Sequence, residues 1–177
     1  MEGFKPDCEQ YKAVVMNYNG DAWPQSTKEA FEKYMRSGGG MVSVHAADNA
    51  SPEWVEYNKM IGLGGWGGRN EKDGPYVYYD STGKILRDNS SGVGGSHGTF
   101  HAFRIDIRDK DHPITRGVPD SWMHNKDELY DRLRGPAEHM TILASAYSAK
   151  EERGTGRDEP IMMVISYGKG RIFHTTL

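Results

Sequence analysis

The stretch Gly38-Gly39-Gly40-Met41-Val42-Ser43-Val44-His45 contains the segment that decides the fold. A short apolar run between glycines and a histidine is typical of a strand buried on both faces. Residues 12–18 hold a second such run. Between the two, Ser26-Thr27-Lys28-Glu29 fits the capping box of a helix that ends at Gly38. Strand, helix and strand form a βαβ unit, which predicts that the two strands are adjacent, parallel and buried.

The rest of the chain adds strands outside this unit. We expect them at residues 101–107, 141–146, 161–167 and 171–176, with a small hairpin at 76–79 and 85–87. Gly168-Lys169-Gly170 is a tight turn that predicts an antiparallel C-terminal hairpin. The expected fold is therefore α/β, with a mostly parallel sheet and helices on its faces, in a single domain over residues 1–177. The long segment 62–98 is expected to be a lid or binding loop, or alternatively a solvated excursion.

Composition excludes several classes of function. The chain has 177 residues, a net charge of −3 and one cysteine, Cys8. Its basic residues are scattered, so nucleic acid is not an expected partner, and no apolar run approaches the roughly 20 residues that span a bilayer. Cys8 precedes every predicted strand that could present a nucleophile, so we predict that it is not catalytic. The compartment stays open between cytoplasmic and periplasmic or secreted.

Polar residues follow the first two predicted strands. In an open α/β sheet, ligands bind outside the carboxyl ends of the strands. Asn19 follows the first strand, and His45, Asp48 and Asn49 follow the second. A histidine in that position can be an acid, a base or a metal ligand, so His45 is the central catalytic candidate, and the other three are candidates for substrate binding. Alternatively, His45 only hydrogen-bonds the strand end, and Asp48 and Asn49 cap a helix.

Two histidines four residues apart suggest a metal site. His97 and His101 would share a face on a strand, although the surrounding glycines exclude a helix. A divalent ion such as zinc would need a third ligand from His45, Glu128 or His174. This metal site is one expectation, and the absence of any metal is the other.

An acidic and aromatic block completes the candidate site. Asp127 and Glu128 stand beside Tyr130. Aromatic rings near carboxylates are typical of sugar-binding surfaces, whereas the alternative is a charge pair at a helix start. We expect His101, Asp127 and Glu128 to face His45 as catalytic residues, with Tyr130 and Trp66 as walls that bind substrate.

The run of residues 11–49 resembles the class I glutamine amidotransferase-like superfamily, which implies a flavodoxin-like three-layer fold. In that superfamily the second strand delivers a nucleophilic cysteine, and here the corresponding residue is His45. A histidine cannot form the covalent thioester of amide transfer, so the resemblance implies the fold and not that chemistry.

Four further blocks resemble the ThuA-like, or trehalose-utilisation, family. They are Gly38 to Ala47, His112-Pro113-Ile114-Thr115-Arg116-Gly117-Val118-Pro119, Asp127-Glu128-Leu129-Tyr130, and the segment from Tyr167 to Leu177. Family members usually start one strand and one helix earlier and continue with Gly-His, so the resemblance implies a domain truncated at both ends.

The resemblance implies carbohydrate processing, on trehalose-like or keto-sugar substrates, through a His/acid pocket. The alternative is a non-catalytic sugar-binding module associated with a sugar-oxidising enzyme. The expected partners are a small sugar and either a second copy of the chain or a sugar dehydrogenase.

Overall fold

The computed structural model describes residues 3–177. Nine strands and two helices are defined in that range: β1 Ala13–Met16, α1 Gln25–Arg36, β2 Gly40–Val44, α2 Val55–Ile61, β3 Tyr76–Tyr79, β4 Ile85–Asp88, β5 His101–Ile107, β6 Ser121–Asp127, β7 Met140–Ser148, β8 Arg157–Tyr167 and β9 Gly170–Thr175. Short 3-10 turns lie at Cys8–Gln10, His45–Asn49, Glu71–Asp73 and Lys150–Glu152. No helix in this range has the length and apolar character needed to cross a membrane.

The strands form one mixed sheet, with the order β1-β2-β9-β8-β7-β5-β6 and the β3–β4 hairpin attached to β8. Only the β1–β2 and β2–β9 pairings are parallel among the described residues. The six remaining pairings are antiparallel. The prediction of a mostly parallel sheet is therefore wrong.

The reason lies in the connections. Parallel neighbours need a crossover of a dozen or more residues, usually a helix, and from β5 onward the described chain has no α-helix between consecutive strands. The two helices also lie on the same side of the sheet. The rings of Phe31 in α1 and Trp54, just before α2, are in contact, with centroids 6.2 Å apart. The flavodoxin-like three-layer arrangement is therefore wrong for the described residues.

The βαβ unit itself is confirmed in its topology. β1 and β2 are adjacent and parallel, in a register that pairs Ala13 with Gly40 and Met16 with Ser43. However, β1 is the edge strand, and Val15 is 65% exposed, so the expectation that both strands are buried is wrong for β1. The capping box is also wrong, since α1 begins at Gln25 after Pro24 and no side chain caps it. Proline supplies a fixed φ at this helix start.

Two apolar cores hold the sheet in place. The larger core packs both helices against the central strands through side chains such as Phe31, Met35, Met41 and Tyr57. The smaller core lies under β5, β7 and β8 and includes Phe103 and Ile161. Burial of each such side chain stabilises the fold by about 1.5–3 kcal/mol. Because β2 is paired on both sides, by β1 and by β9, the start of the turn that follows it is fixed by the sheet.

Candidate functional site

His45 begins the turn that follows β2. Its backbone is left-handed, with φ 47°, which is uncommon for a residue with a Cβ and directs attention to this position. The ring Nδ1 lies 2.8 Å from the carbonyl oxygen of Thr176, just after β9. A carbonyl can only accept, so Nδ1 carries the hydrogen and donates it. In a neutral ring the free nitrogen is therefore Nε2.

Glu128 supplies the acidic partner. Its Oε2 lies 3.6 Å from Nε2 of His45, and its Oε1 lies 3.9 Å from Nε2 of His97. The three side chains are half-buried and come from the turn after β2, the segment after β6 and the glycine-rich loop before β5. A histidine nitrogen that faces a carboxylate in a partly solvated site can take up a proton and be stabilised as imidazolium.

Aromatic rings form the wall beside this pair. The ring of His45 stacks on Tyr130, with centroids 4.4 Å apart and planes at 30°. Trp66 lies 4.7 Å from Tyr130 and 6.2 Å from His97, centroid to centroid. Burial raises the pKa of Tyr130 to about 12. Tyr130 therefore keeps its hydroxyl hydrogen near neutral pH.

An open cleft of about 290 Å³ adjoins His97. Trp66, His97 and Arg153 provide its larger side chains, and Gly95, Ser96 and Gly98 provide its backbone. This volume is at the lower end of the range for small-molecule sites. The cleft offers an aromatic face and the side chains of His97 and Arg153, and His97 lies next to the carboxylate of Glu128.

Two predicted catalytic residues have other partners. Asp127 accepts hydrogen bonds from Nε2 of His124 at 3.0 Å and from the backbone N–H of Glu128 at 2.8 Å. Burial alone would raise the pKa of Asp127, but these hydrogen bonds and the nearby His45 hold it below its ordinary value. His101 donates from Nδ1 to the carbonyl of Thr99 at 2.8 Å. Within residues 3–177, no ion pair joins His101 to Glu128. The catalytic role of His101 stays a prediction.

The predicted substrate-binding residues lie at different depths. Asp48 has no exposed surface and lies 3.3 Å from His174. The side-chain oxygen of Asn49 is buried close to Tyr130, whereas Asn19 is exposed in the loop after the edge strand. Trp66 and Tyr130 are the members of this set that line the neighbourhood of His45 and Glu128. Direct sugar contact by the other three stays a prediction.

The histidines proposed for a metal do not form a complete site. Within residues 3–177, no three side chains of His, Cys, Asp or Glu are grouped closely enough to hold a metal ion. His97 faces Glu128, and His101 is bonded to the backbone of its own segment. The donors present therefore do not fit a zinc ion in this arrangement.

Cys8 is buried in a 3-10 turn, where burial and the nearby Asp7 raise the pKa of its thiol.

Sequence reasoning missed three features of this site. The residue pattern predicts His97 only as a metal ligand, although it flanks Glu128, and it does not indicate Arg153 in the cleft. The third is the backbone carbonyl of Thr176, which fixes the hydrogen of His45. A backbone acceptor carries no side-chain signal, so no residue pattern could have found it.

The comparisons with known proteins identify the family of the chain. The family model described as "ThuA: Trehalose utilisation" matches residues 4–177. A solved ThuA-like protein from Parabacteroides merdae is 52% identical, with a TM-score of 0.96, over 100% of this chain and 63% of that one. No curated protein matches the chain.

More distant structures share the fold alone. A ThuA-like protein from Bacteroides uniformis is 18% identical, with a TM-score of 0.62, over 96% of this chain and 61% of that one. The GH42 β-galactosidase Gan42B is 12% identical, with a TM-score of 0.53, over 96% of this chain and 19% of that one. The chain thus spans less than two thirds of the length of the ThuA-like proteins it matches. On the family match and the 52% identity, the chain belongs to the ThuA, or trehalose-utilisation, family.

Proposed function

We propose that this chain processes carbohydrates, acting on trehalose-like or keto-sugar substrates by acid–base chemistry at His45 and Glu128. The observation that carries the proposal is the 3.6 Å approach of Nε2 of His45 to Oε2 of Glu128. The hydrogen on Nδ1 of His45 is held by Thr176, so Nε2 is the nitrogen available for proton transfer.

The proposed chemistry is a proton transfer. Nε2 of His45 takes a proton from the carbon next to a keto group, the electron pair of that C–H bond moves into an enolate, and the ring becomes an imidazolium. The charge of Glu128 stabilises that cation, and the Thr176 carbonyl at Nδ1 holds the orientation of the ring. The proton then returns to the product from the same nitrogen. Tyr130 stacks on the ring and limits its rotation.

The sugar class is supported by the neighbouring cleft. Trp66 is half-exposed there, and sugars present C–H faces that stack on such rings. His97 and Arg153 offer hydrogen-bond donors for sugar hydroxyls or for a keto oxygen. The family description, trehalose utilisation, supports the same class.

Two matched substitutions test this proposal. His45 and His139 both have left-handed backbones, with φ of 47° and 49°, but His139 is exposed and does not line the cleft. Asparagine tolerates that conformation, so His45→Asn and His139→Asn carry similar backbone costs. We expect His45→Asn to lower kcat/KM on trehalose or its keto form at least ~10-fold, about 1.4 kcal/mol, with His139→Asn unchanged. Equal activity of the two variants would defeat the proposal.

The second candidate is a sugar-recognition module that works beside a sugar-oxidising enzyme. The half-exposed ring of Trp66 favours it, because stacking alone suffices for recognition. In this case calorimetry would detect sugar binding without turnover. Trp66→Ala would then abolish binding, and His45→Asn would leave it intact.

A further inference from the structure

Two ionisable residues face each other in the interior beneath His45. Asp48 and His174 have no exposed surface, and Oδ2 of Asp48 lies 3.3 Å from Nε2 of His174. Asp48 belongs to the same turn as His45. His174 lies on β9, where it pairs with Ser43 of β2. The pair therefore joins the turn that carries His45 to a central strand of the sheet.

This pair must hold one hydrogen. Nδ1 of His174 lies 2.8 Å from the carbonyl oxygen of Ile61, so Nδ1 is a donor. A neutral ring then presents only a lone pair at Nε2. An ionised Asp48 would also present only lone pairs, and two acceptors that face each other in a dry interior repel. Neither of the two facing atoms has a hydrogen-bond partner elsewhere in residues 3–177, so one hydrogen shared by Asp48 and His174 would satisfy both, and the pair has no net charge whichever partner carries it.

The same strand end also orients His45. Two residues after His174, the carbonyl of Thr176 accepts the hydrogen on Nδ1 of His45. We infer that Asp48 and His174 are positioning residues: their shared hydrogen clamps the 45–49 turn to the end of β9, and this clamp keeps Nε2 of His45 directed at Glu128. The role of this orientation in catalysis rests on the proposed function. The contact that holds the 45–49 turn to β9 does not depend on it.

The surroundings favour a shared hydrogen over a free charge. Burial raises the pKa of Asp48, while the hydrogen bond and charge of His174, and the charges of Arg69 and His45, oppose that rise. The guanidinium of Arg69 is itself occupied by the carbonyls of Gly65 and Ala50.

Two tyrosines are the remaining ionisable groups that face Asp48. The hydroxyl of Tyr57 donates to the carbonyl of Ala47 at 2.7 Å, which pins the middle of the turn. Burial, with Asp48 nearby, raises the pKa of both Tyr57 and Tyr130, so both are neutral near pH 7. The turn is thus held at its first, third and fourth residues.

Substitutions of Asp48 distinguish the effect of the hydrogen bond to His174 from the effect of the carboxylate charge. In Asp48→Asn, the amide N–H donates to Nε2 of His174, so one hydrogen bond remains and the net charge of the pair is still zero. In Asp48→Ala, Nε2 has no donor. We expect Asp48→Asn to keep the wild-type orientation of His45 and Asp48→Ala to lose it. Turnover of trehalose or its keto form would fall about tenfold in Asp48→Ala, which corresponds to about 1.4 kcal/mol, and less in Asp48→Asn.

The deciding readout is the tautomer of the two histidines in long-range ¹H–¹⁵N spectra of the ¹⁵N-labelled full chain. Wild type and Asp48→Asn should show the hydrogen of His45 on Nδ1, and Asp48→Ala should show mixed tautomers. An Asp48→Ala protein that fails to fold, beside an Asp48→Asn protein with unchanged His45, also supports the clamp. An unchanged His45 in folded Asp48→Ala, or a changed His45 in folded Asp48→Asn, would overturn it. The spectra need no sugar, so inactive wild type would count only against the proposed function.

Discussion

The carboxylate of Glu128 lies 3.6 Å from Nε2 of His45, although the two residues belong to different halves of the sheet. His45 follows β2 near one edge, and Glu128 follows β6 at the other. A contact of this kind cannot arise from local structure, so it must be built by the whole sheet. The contact with His45 also distinguishes Glu128 from its sequence neighbour Asp127, whose carboxylate is hydrogen-bonded to His124.

The adjacent acids can be distinguished by substitution. Glu128→Gln keeps the shape of the side chain but removes the charge that stabilises a His45 imidazolium. We expect turnover of trehalose or its keto form to fall at least ~10-fold, or about 1.4 kcal/mol. Asp127→Asn, measured in the same assay, should have a smaller effect. A larger loss in Asp127→Asn would move the catalytic assignment from Glu128 to Asp127.

Gly95 should be essential for the cleft. Its φ is +91°, and an added Cβ would lie 2.5 Å from the backbone nitrogen of Trp66 and 2.8 Å from Cα of Gly65. Gly68 has a similar φ of +83° but nothing within 4 Å of its added Cβ. Both alanine variants should lose about 1–2 kcal/mol to backbone strain, and Gly95→Ala should lose more through overlap. Urea unfolding followed by tryptophan fluorescence measures both losses, and equal values would contradict this account.

Arg134 should be essential for the long loop. The side chain is fully buried, donates to the carbonyls of Gly74, Ser90 and Gly92, and lies over the ring of Tyr76 at 3.8 Å. A lysine lacks the planar fork that reaches three acceptors, so Arg134→Lys should lose about 2–3 kcal/mol of unfolding free energy.

The control for Arg134 is Arg87. It also donates to two backbone carbonyls, Pro136 and Ala137, but from an exposed position. Arg87→Lys should therefore cost less than about 1 kcal/mol in the same urea titration. Equal losses for the two variants would show that burial of Arg134 does not matter.

The stability of the fold should depend on pH through Glu159. Burial raises its pKa from 4.5 to about 7 in the folded chain. Between these values the folded state binds more protons than the unfolded state, so stability falls as pH rises through that window. The loss is at most roughly 3 kcal/mol. Glu159→Gln keeps a partner for the Thr155 hydroxyl and does not titrate. Wild type should therefore lose stability relative to Glu159→Gln between pH 5 and pH 8. Melting temperatures that change equally with pH in the two proteins would refute this.

Local patterns predicted the local elements well. The β3–β4 hairpin, the alternating strand β5 and the antiparallel β8–β9 hairpin are all confirmed, because turn residues and side-chain alternation act over a few residues. β6 was missed because its polar sequence, Ser121-Trp122-Met123-His124-Asn125-Lys126-Asp127, belongs to an edge strand with little to bury.

The sequence by itself determined the family and the parallel start of the sheet, and it selected His45, Glu128, Trp66 and Tyr130 as candidate site residues, because these depend on residue types and short spacings. Only the tertiary structure decided the strand directions after β5 and which acid faces His45. Those outcomes depend on contacts between distant segments, where packing outweighs local preference. The burial of Asp48 against His174 and the carbonyl of Thr176 at Nδ1 of His45 likewise arise only when β2 and β9 pair.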